Sequence, residues 1–232
     1  MGFGWALKAA SFAAAIAITL GVATSGAAAA TTRPTIVERK TVGAVTGAVV
    51  VAIGDSIMEG HGLDPSTAWP ALLAQDYGWR LTNLASDGSG FVTVGDNGDT
   101  FADQVAVAVR MHPSIVIISG SSNDLGASDS MIARKTDATI RSIRAALPFT
   151  QILTVSPIWN DTTEPSQLVS IGADVVQAGR AVGARQIDIG QPLAGRPALL
   201  QADDVHPTTD GQQMIASTVE AALSSTRRPI LL

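Results

Sequence analysis

Ser56, Asp203 and His206 are the residues of this chain whose types and spacing point most directly to chemistry. A serine hydroxyl is a weak nucleophile at its own pKa and attacks only when a neighbouring base takes its proton. Histidine titrates in the range that suits such a base. A carboxylate beside it holds the tautomer and stabilises the imidazolium. Asp203 and His206 stand three apart in Gln201-Ala202-Asp203-Asp204-Val205-His206-Pro207, a spacing that can put both side chains on one side of a turn. Acyl transfer also needs donors for the oxyanion that develops. The side-chain amide of Asn123 and the backbone N–H groups of Ser56 and Gly88 are the candidates. Each piece alone has a plain reading: Gly54-Asp55-Ser56 as a common turn, Asn123-Asp124 as a helix cap or Asx turn, Gly88 as turn geometry and His206 as a surface loop residue.

Their weight comes from the elements that carry them. Val49-Val50-Val51-Ala52-Ile53 is apolar throughout, as a strand buried on both faces must be, and it ends abruptly in Gly54-Asp55-Ser56. Gly54 suits a sharp exit from that strand. Further strands are expected at 80–84, 115–119, 151–155 and 185–189, and helices at 69–77, 101–111, 129–147, 167–182 and 208–224. Ser66 or Thr67 is expected to cap the first of these helices, with Pro70 in its first turn. The 101–111 segment fits both periods, because Val105, Val107 and Val109 alternate. His112-Pro113 and the clear strand that follows favour a helix. Strands alternating with helices imply an α/β fold, a three-layer α/β/α sandwich around a five-stranded parallel sheet with right-handed crossovers, flavodoxin-like in plan. Ser56, Gly88 and Asn123 then all follow strand ends on one edge of the sheet, where open α/β sheets bind ligands. No internal repeat is evident.

Composition narrows the field. At 232 residues the chain fits one sizeable domain, and 46% hydrophobic content with 4% aromatics gives a core of Ala, Val, Ile and Leu. A formal net charge of −5 leaves no electrostatic case for a nucleic-acid partner. With no cysteine there is no disulfide, thiol catalysis or thiolate metal site. The remaining histidines, His61 and His112, show no ligand spacing, so no metal is expected. Lys8 is the only charged side chain before Arg33; an apolar segment at 9–20 and small residues ending in Ala28-Ala29-Ala30 form the pattern of an export signal with an A-x-A site. The charge-free stretch approaches membrane-spanning length, but its second half is too rich in Ala, Gly, Ser and Thr to favour a retained anchor. The expected organisation is a signal peptide at 1–30, a linker at 31–48, the domain at 49–225 and a tail at 226–232. The mature protein is expected to be secreted or in the cell envelope, without a stable membrane anchor.

The ordered motifs resemble those of the SGNH hydrolases, the GDSL-type esterases and lipases. Gly54-Asp55-Ser56 is similar to the block that bears the nucleophile, and Asn83-Leu84-Ala85-Ser86-Asp87-Gly88 to the block whose glycine N–H faces the oxyanion. Ser119-Gly120-Ser121-Ser122-Asn123-Asp124-Leu125 resembles the third block, and Asp203-Asp204-Val205-His206-Pro207 matches Asp-x-x-His. The resemblance implies a serine esterase that needs no cofactor: Ser56 attacks an ester carbonyl, His206 takes its proton, Asp203 orients His206, and Ser56, Gly88 and Asn123 form the oxyanion hole. Asp204 is the alternative carboxylate. Ser121 stands where the family usually has glycine, which implies a modest change of loop shape rather than loss of the Asn123 donor. The substrate class implied is a small-molecule or glycan ester. Two other readings stay open: transfer of the acyl group to an alcohol or sugar, with Trp69 and Trp159 as possible stacking surfaces or simple packing residues, and a non-catalytic α/β binding module. No phosphate-cradling glycine loop follows the first strand to favour the latter.

Overall fold

The computed structural model describes residues 47–225. The expected signal segment, nearly all of the linker and the tail lie outside the described residues. Five strands form one parallel sheet: β1 (Val49–Ile53), β2 (Arg80–Asn83), β3 (Ile115–Ser119), β4 (Gln151–Val155) and β5 (Arg185–Ile187). Their order is β2-β1-β3-β4-β5. Six α-helices alternate with them: α1 (Ser56–Glu59), α2 (Trp69–Tyr77), α3 (Phe101–Met111), α4 (Asp129–Ala146), α5 (Ser166–Ala181) and α6 (Thr209–Ser225).

The sheet is covered on both faces because successive side chains of a strand point opposite ways. Val50 and Ala52 of β1 pack with Ile115 and Ile117 of β3 against Trp69 and Leu73 of α2 and Ile215 and Val219 of α6. Val51 and Ile53 pack with Val116 and Ile118 against Phe101 and Val105 of α3, Ile140 and Ile143 of α4, and Val175 of α5. This is the three-layer sandwich expected from the sequence, with structural relatives of the same fold reported below. Among the described residues no helix is long and apolar enough to cross a membrane.

Several local expectations are corrected. A single helical turn starting at Ser56 and ended by Gly60 at φ 89° precedes the first expected helix. The α2 N-cap is Ala68, with no side-chain cap; Ser66 and Thr67 belong to a 3-10 turn capped by Asp64. The fifth strand stops at Ile187, two residues early, because Asp188 turns its carboxylate back to the N–H of Gly190 at 2.9 Å. Gly54 is required for space rather than for unusual backbone angles: a Cβ there would meet Met58 Cβ at 2.8 Å and Sδ at 2.6 Å. Arg144 on α4 is half-buried and donates to the carbonyls of Leu147, Pro148, Thr150 and Val182, closing the helix C-terminus.

Candidate active site

The sheet order places β1 between β2 and β3, so the loops after all three strands meet around the end of β1. The order also reverses direction at β1, the topological switch point where such sheets leave a crevice. Ser56 occupies the first position of α1, directly after β1 and 7% exposed. Asp55 is the N-cap, its carboxylate accepting from Ile57 N–H at 3.1 Å. Burial raises the Asp55 pKa, and its hydrogen bonds to Ser121 and to the backbone oppose that rise.

His206 Nε2 lies 3.0 Å from Ser56 Oγ across 150 residues of chain. On the other side of the ring, His206 Nδ1 is 2.7 Å from Asp203 Oδ2. The second Asp203 oxygen accepts the backbone N–H groups of Val205 and His206, each at 3.0 Å. One carboxylate therefore fixes both its loop and the imidazole. These bonds, led by the one to the His206 ring, hold the Asp203 pKa well below the ordinary value of 3.8. Since the folded value is lowered, the stability Asp203 contributes is complete above that ordinary value and is lost only in stronger acid. Asp204, the alternative carboxylate, is exposed and takes left-handed backbone angles (φ 58°) to turn the loop. Gln201 secures this loop: its amide donates to the carbonyls of His61 at 2.8 Å and Pro207 at 3.0 Å.

Gly88 follows β2 at φ 73°, a conformation that favours glycine, and its N–H has no hydrogen-bond partner among the described residues. Asn123 follows β3 in a 3-10 turn. Its Nδ2 donates to Ser89 O at 3.0 Å, which uses one of the two amide hydrogens and anchors the group to the loop after β2. Ser121 is buried and active in this anchoring: its Oγ lies 3.0 Å from Ser89 O and accepts Asn123 N–H at 3.1 Å. Asp124 is fully buried and accepts three successive backbone N–H groups, from Phe91, Val92 and Thr93, at 2.8, 3.0 and 2.9 Å.

Sequence reasoning missed several groups that hold this site. Gln104 of α3 clasps Gly54, accepting its N–H at 3.0 Å and donating to its carbonyl at 3.1 Å. Gln212 of α6 donates to Ile57 O and accepts from Trp69 N–H, both at 2.9 Å, tying α6 to α1 and α2. Nothing in local pattern marks either glutamine. Trp69 is fully buried in the core, so it has no face for a sugar; Trp159 is partly buried, with its indole N–H on Thr162 at 3.0 Å.

The largest omission is His61. It stacks on His206, with ring centroids 4.0 Å apart and planes 25° apart, and its Nδ1 is hydrogen-bonded to Asp87 Oδ2. Ligand atoms of His61, Asp203 and His206 lie within 4.8 Å of one another. Stacked rings, however, send their in-plane lone pairs side by side, whereas a shared metal needs them to converge. Beyond Asp87, Glu59 is pushed up to about 7, first by burial and then by sharing hydrogen bonding and charge with Asp87. Its folded pKa is above the ordinary 4.5, so the fold binds the extra proton, and stability falls as pH rises through about 7. Glu59→Gln, whose amide donates at any pH, is expected to raise the melting temperature at pH 8. The gain should shrink towards pH 5. Parallel melting curves across that range would remove Glu59 from this account.

Comparison with known proteins places the chain. The family model described as GDSL-like lipase/acylhydrolase matches residues 52–214. A GDSL lipase of Mycobacterium tuberculosis is 30% identical over 190 residues, covering 75% of this chain and 81% of that protein. Among solved structures, TesA superposes with a TM-score of 0.63 at 20% identity, covering 79% of this chain and 99% of that one. The psychrotrophic esterase EstA from Pseudoalteromonas sp. superposes at 0.62 with 18% identity, covering 76% and 97%. With the fold, the ordered blocks and this match in hand, the chain belongs to the GDSL-like lipase/acylhydrolase family and is an ester-hydrolysing enzyme.

Proposed function

We propose that the protein is an exported serine esterase that acts on small-molecule or glycan esters through Ser56, His206 and Asp203. The observation that carries this reading is the continuous hydrogen-bonded line from Ser56 Oγ through both ring nitrogens of His206 to Asp203. In the reaction, Ser56 Oγ attacks the ester carbonyl while His206 Nε2 takes its proton and Asp203 stabilises the imidazolium. The oxyanion is received by the N–H groups of Ser56 and Gly88 and by the free hydrogen of the Asn123 amide. The N-terminal end of α1 adds no more than a local contribution, since the helix is one turn long. Collapse expels the alcohol, which takes the proton from His206 and leaves the acyl group on Ser56. Water then attacks the acyl-enzyme, with His206 again as base, and releases the acid. Export is supported by the charge-poor apolar run and the small-residue end of residues 1–30.

A fluorophosphonate probe tests the activated nucleophile without assuming a substrate. EstA, which shares the fold, is described as inhibited by monoethylphosphonate. Mass spectrometry is expected to find one adduct, on Ser56. Asp203→Asn should slow labelling by about 10²–10³-fold, less than for a fully buried triad carboxylate because 42% of this side chain is exposed. A protein that remains unlabelled, or labels elsewhere, would refute the mechanism.

A further inference from the structure

We propose that His61, held by Asp87, is a positioning residue for His206: a second carboxylate–imidazole pair stacked on the first. It fixes the ring that faces Ser56 and sets the pH range in which that ring can accept a proton. The kinetic part of this inference rests on the esterase reading above; the structural part does not.

Two in-plane hydrogen bonds alone leave the His206 ring free to tilt. Asp203, Asp204 and Val205 before it are all exposed. Asp203 holds one ring nitrogen and Ser56 meets the other, but neither bond prevents the ring from tilting about the axis between them. A flat partner across one face does. His61 supplies it, with 4.0 Å between centroids. It is itself tied down twice, by Asp87 at Nδ1 and by Gln201 at its carbonyl. Gln201 donates also to Pro207 O, so one amide bridges the two histidine loops. A misplacement of a catalytic group by about 1 Å can cost 10²-fold in rate, so a restraint of this kind has a measurable consequence.

The second part follows from charge. Two imidazoles in stacking contact resist both becoming cations, so their titrations are coupled. The groups facing His61 are Asp87 from the loop after β2, Glu59 from α1, and His206 with Asp203 from the 201–207 loop; buried Asp55 lies beneath His206. Asp87 Oδ1 and Glu59 Oε2 are buried without a hydrogen-bond partner among the described residues, so this acidic pair sits on the His61 side of the two rings. A proton on either ring therefore opposes a second proton on the other.

Two variants separate the restraint from the charge. His61→Phe keeps a flat ring and removes the charge; His61→Ala removes both. His61→Ala is expected to lower kcat about 10-fold with KM little changed. His61→Phe should recover most of that loss while moving the acid limb of kcat/KM to higher pH by about one unit. Imidazole NMR gives a readout independent of turnover, since the chain has only 3 histidines to assign. The His206 titration midpoint should rise in His61→Phe. Wild-type kcat in His61→Ala, or a midpoint that does not move in His61→Phe, overturns the proposal. If ester hydrolysis were to survive loss of Ser56, the esterase reading would fail, and the NMR midpoint would still decide the coupling.

Discussion

Ser56→Ala is expected to reduce hydrolysis of short p-nitrophenyl esters by at least about 10⁴-fold while the fold remains intact. The rate loss is large because the hydroxyl is the bond-forming atom and no other nucleophile is aligned with His206. Some acceleration over water should remain, since the oxyanion donors on Gly88 and Asn123 do not depend on Oγ. The stability cost should be small. Among the described residues Ser56 Oγ has one partner, His206 Nε2; His206 keeps Asp203, and its side chain is 18% exposed, so water can replace the lost contact. A substitution that orphans no buried group stays within about 0.5 kcal/mol. A thermal melt beside the ester assay checks both halves. Turnover above 1% of wild type with an unchanged melt would show that Ser56 is not the nucleophile.

Asp124→Ala should do the opposite, with its main effect on stability. The Asp124 carboxylate is 0% exposed and, among the described residues, is the only partner of three consecutive N–H groups, on Phe91, Val92 and Thr93. The packing around it is close enough that Gly90 admits no Cβ, which would sit 2.5 Å from Asp124 Oδ1. Truncation leaves three donors without an acceptor, each worth about 1–3 kcal/mol when buried, though water entering the gap recovers part of that. A net loss of about 4 kcal/mol corresponds to a fall of about 10 °C in melting temperature for a domain of this size. Asp124→Asn should rescue only part of it, because one amide oxygen can still serve Val92 and Thr93 while the NH2 group faces the Phe91 N–H, a donor already. Activity should fall as well, since Thr93 Oγ1 holds the carbonyl of Asn123 at 2.8 Å and Asn123 is the proposed oxyanion donor. Urea unfolding of the two variants against wild type gives the numbers. A midpoint unchanged in Asp124→Ala would mean that the 91–93 loop is held by something else.

The two variants differ in kind because the site has two kinds of residue. Ser56, His206 and Asp203 are arranged for the reaction, and the two that serve Ser56 are partly open to solvent. Asp124, Gln104 and Gln212 are sealed in the core and hold backbone in place. Only the first kind leaves a recognisable order of residue types along the chain.

That contrast explains what the amino-acid order determined unaided. The five strands and the long helices were legible from apolar runs, helical spacing and the breaks at Pro113 and Pro148, because these signals act over a few residues and a buried sheet demands unbroken apolar strands. The family was legible too, since its blocks are short and their order is fixed by the fold. What the tertiary structure alone decided are contacts made across long stretches of chain. Gln104 reaches Gly54 over 50 residues and Gln212 reaches Ile57 over 155. His61, read as a loop histidine without spacing, meets His206 only because α1 and the loop before α6 are folded onto the same sheet edge. No local period encodes such pairings. They depend on which strands are neighbours, and on side chains whose types are common enough to have many other uses.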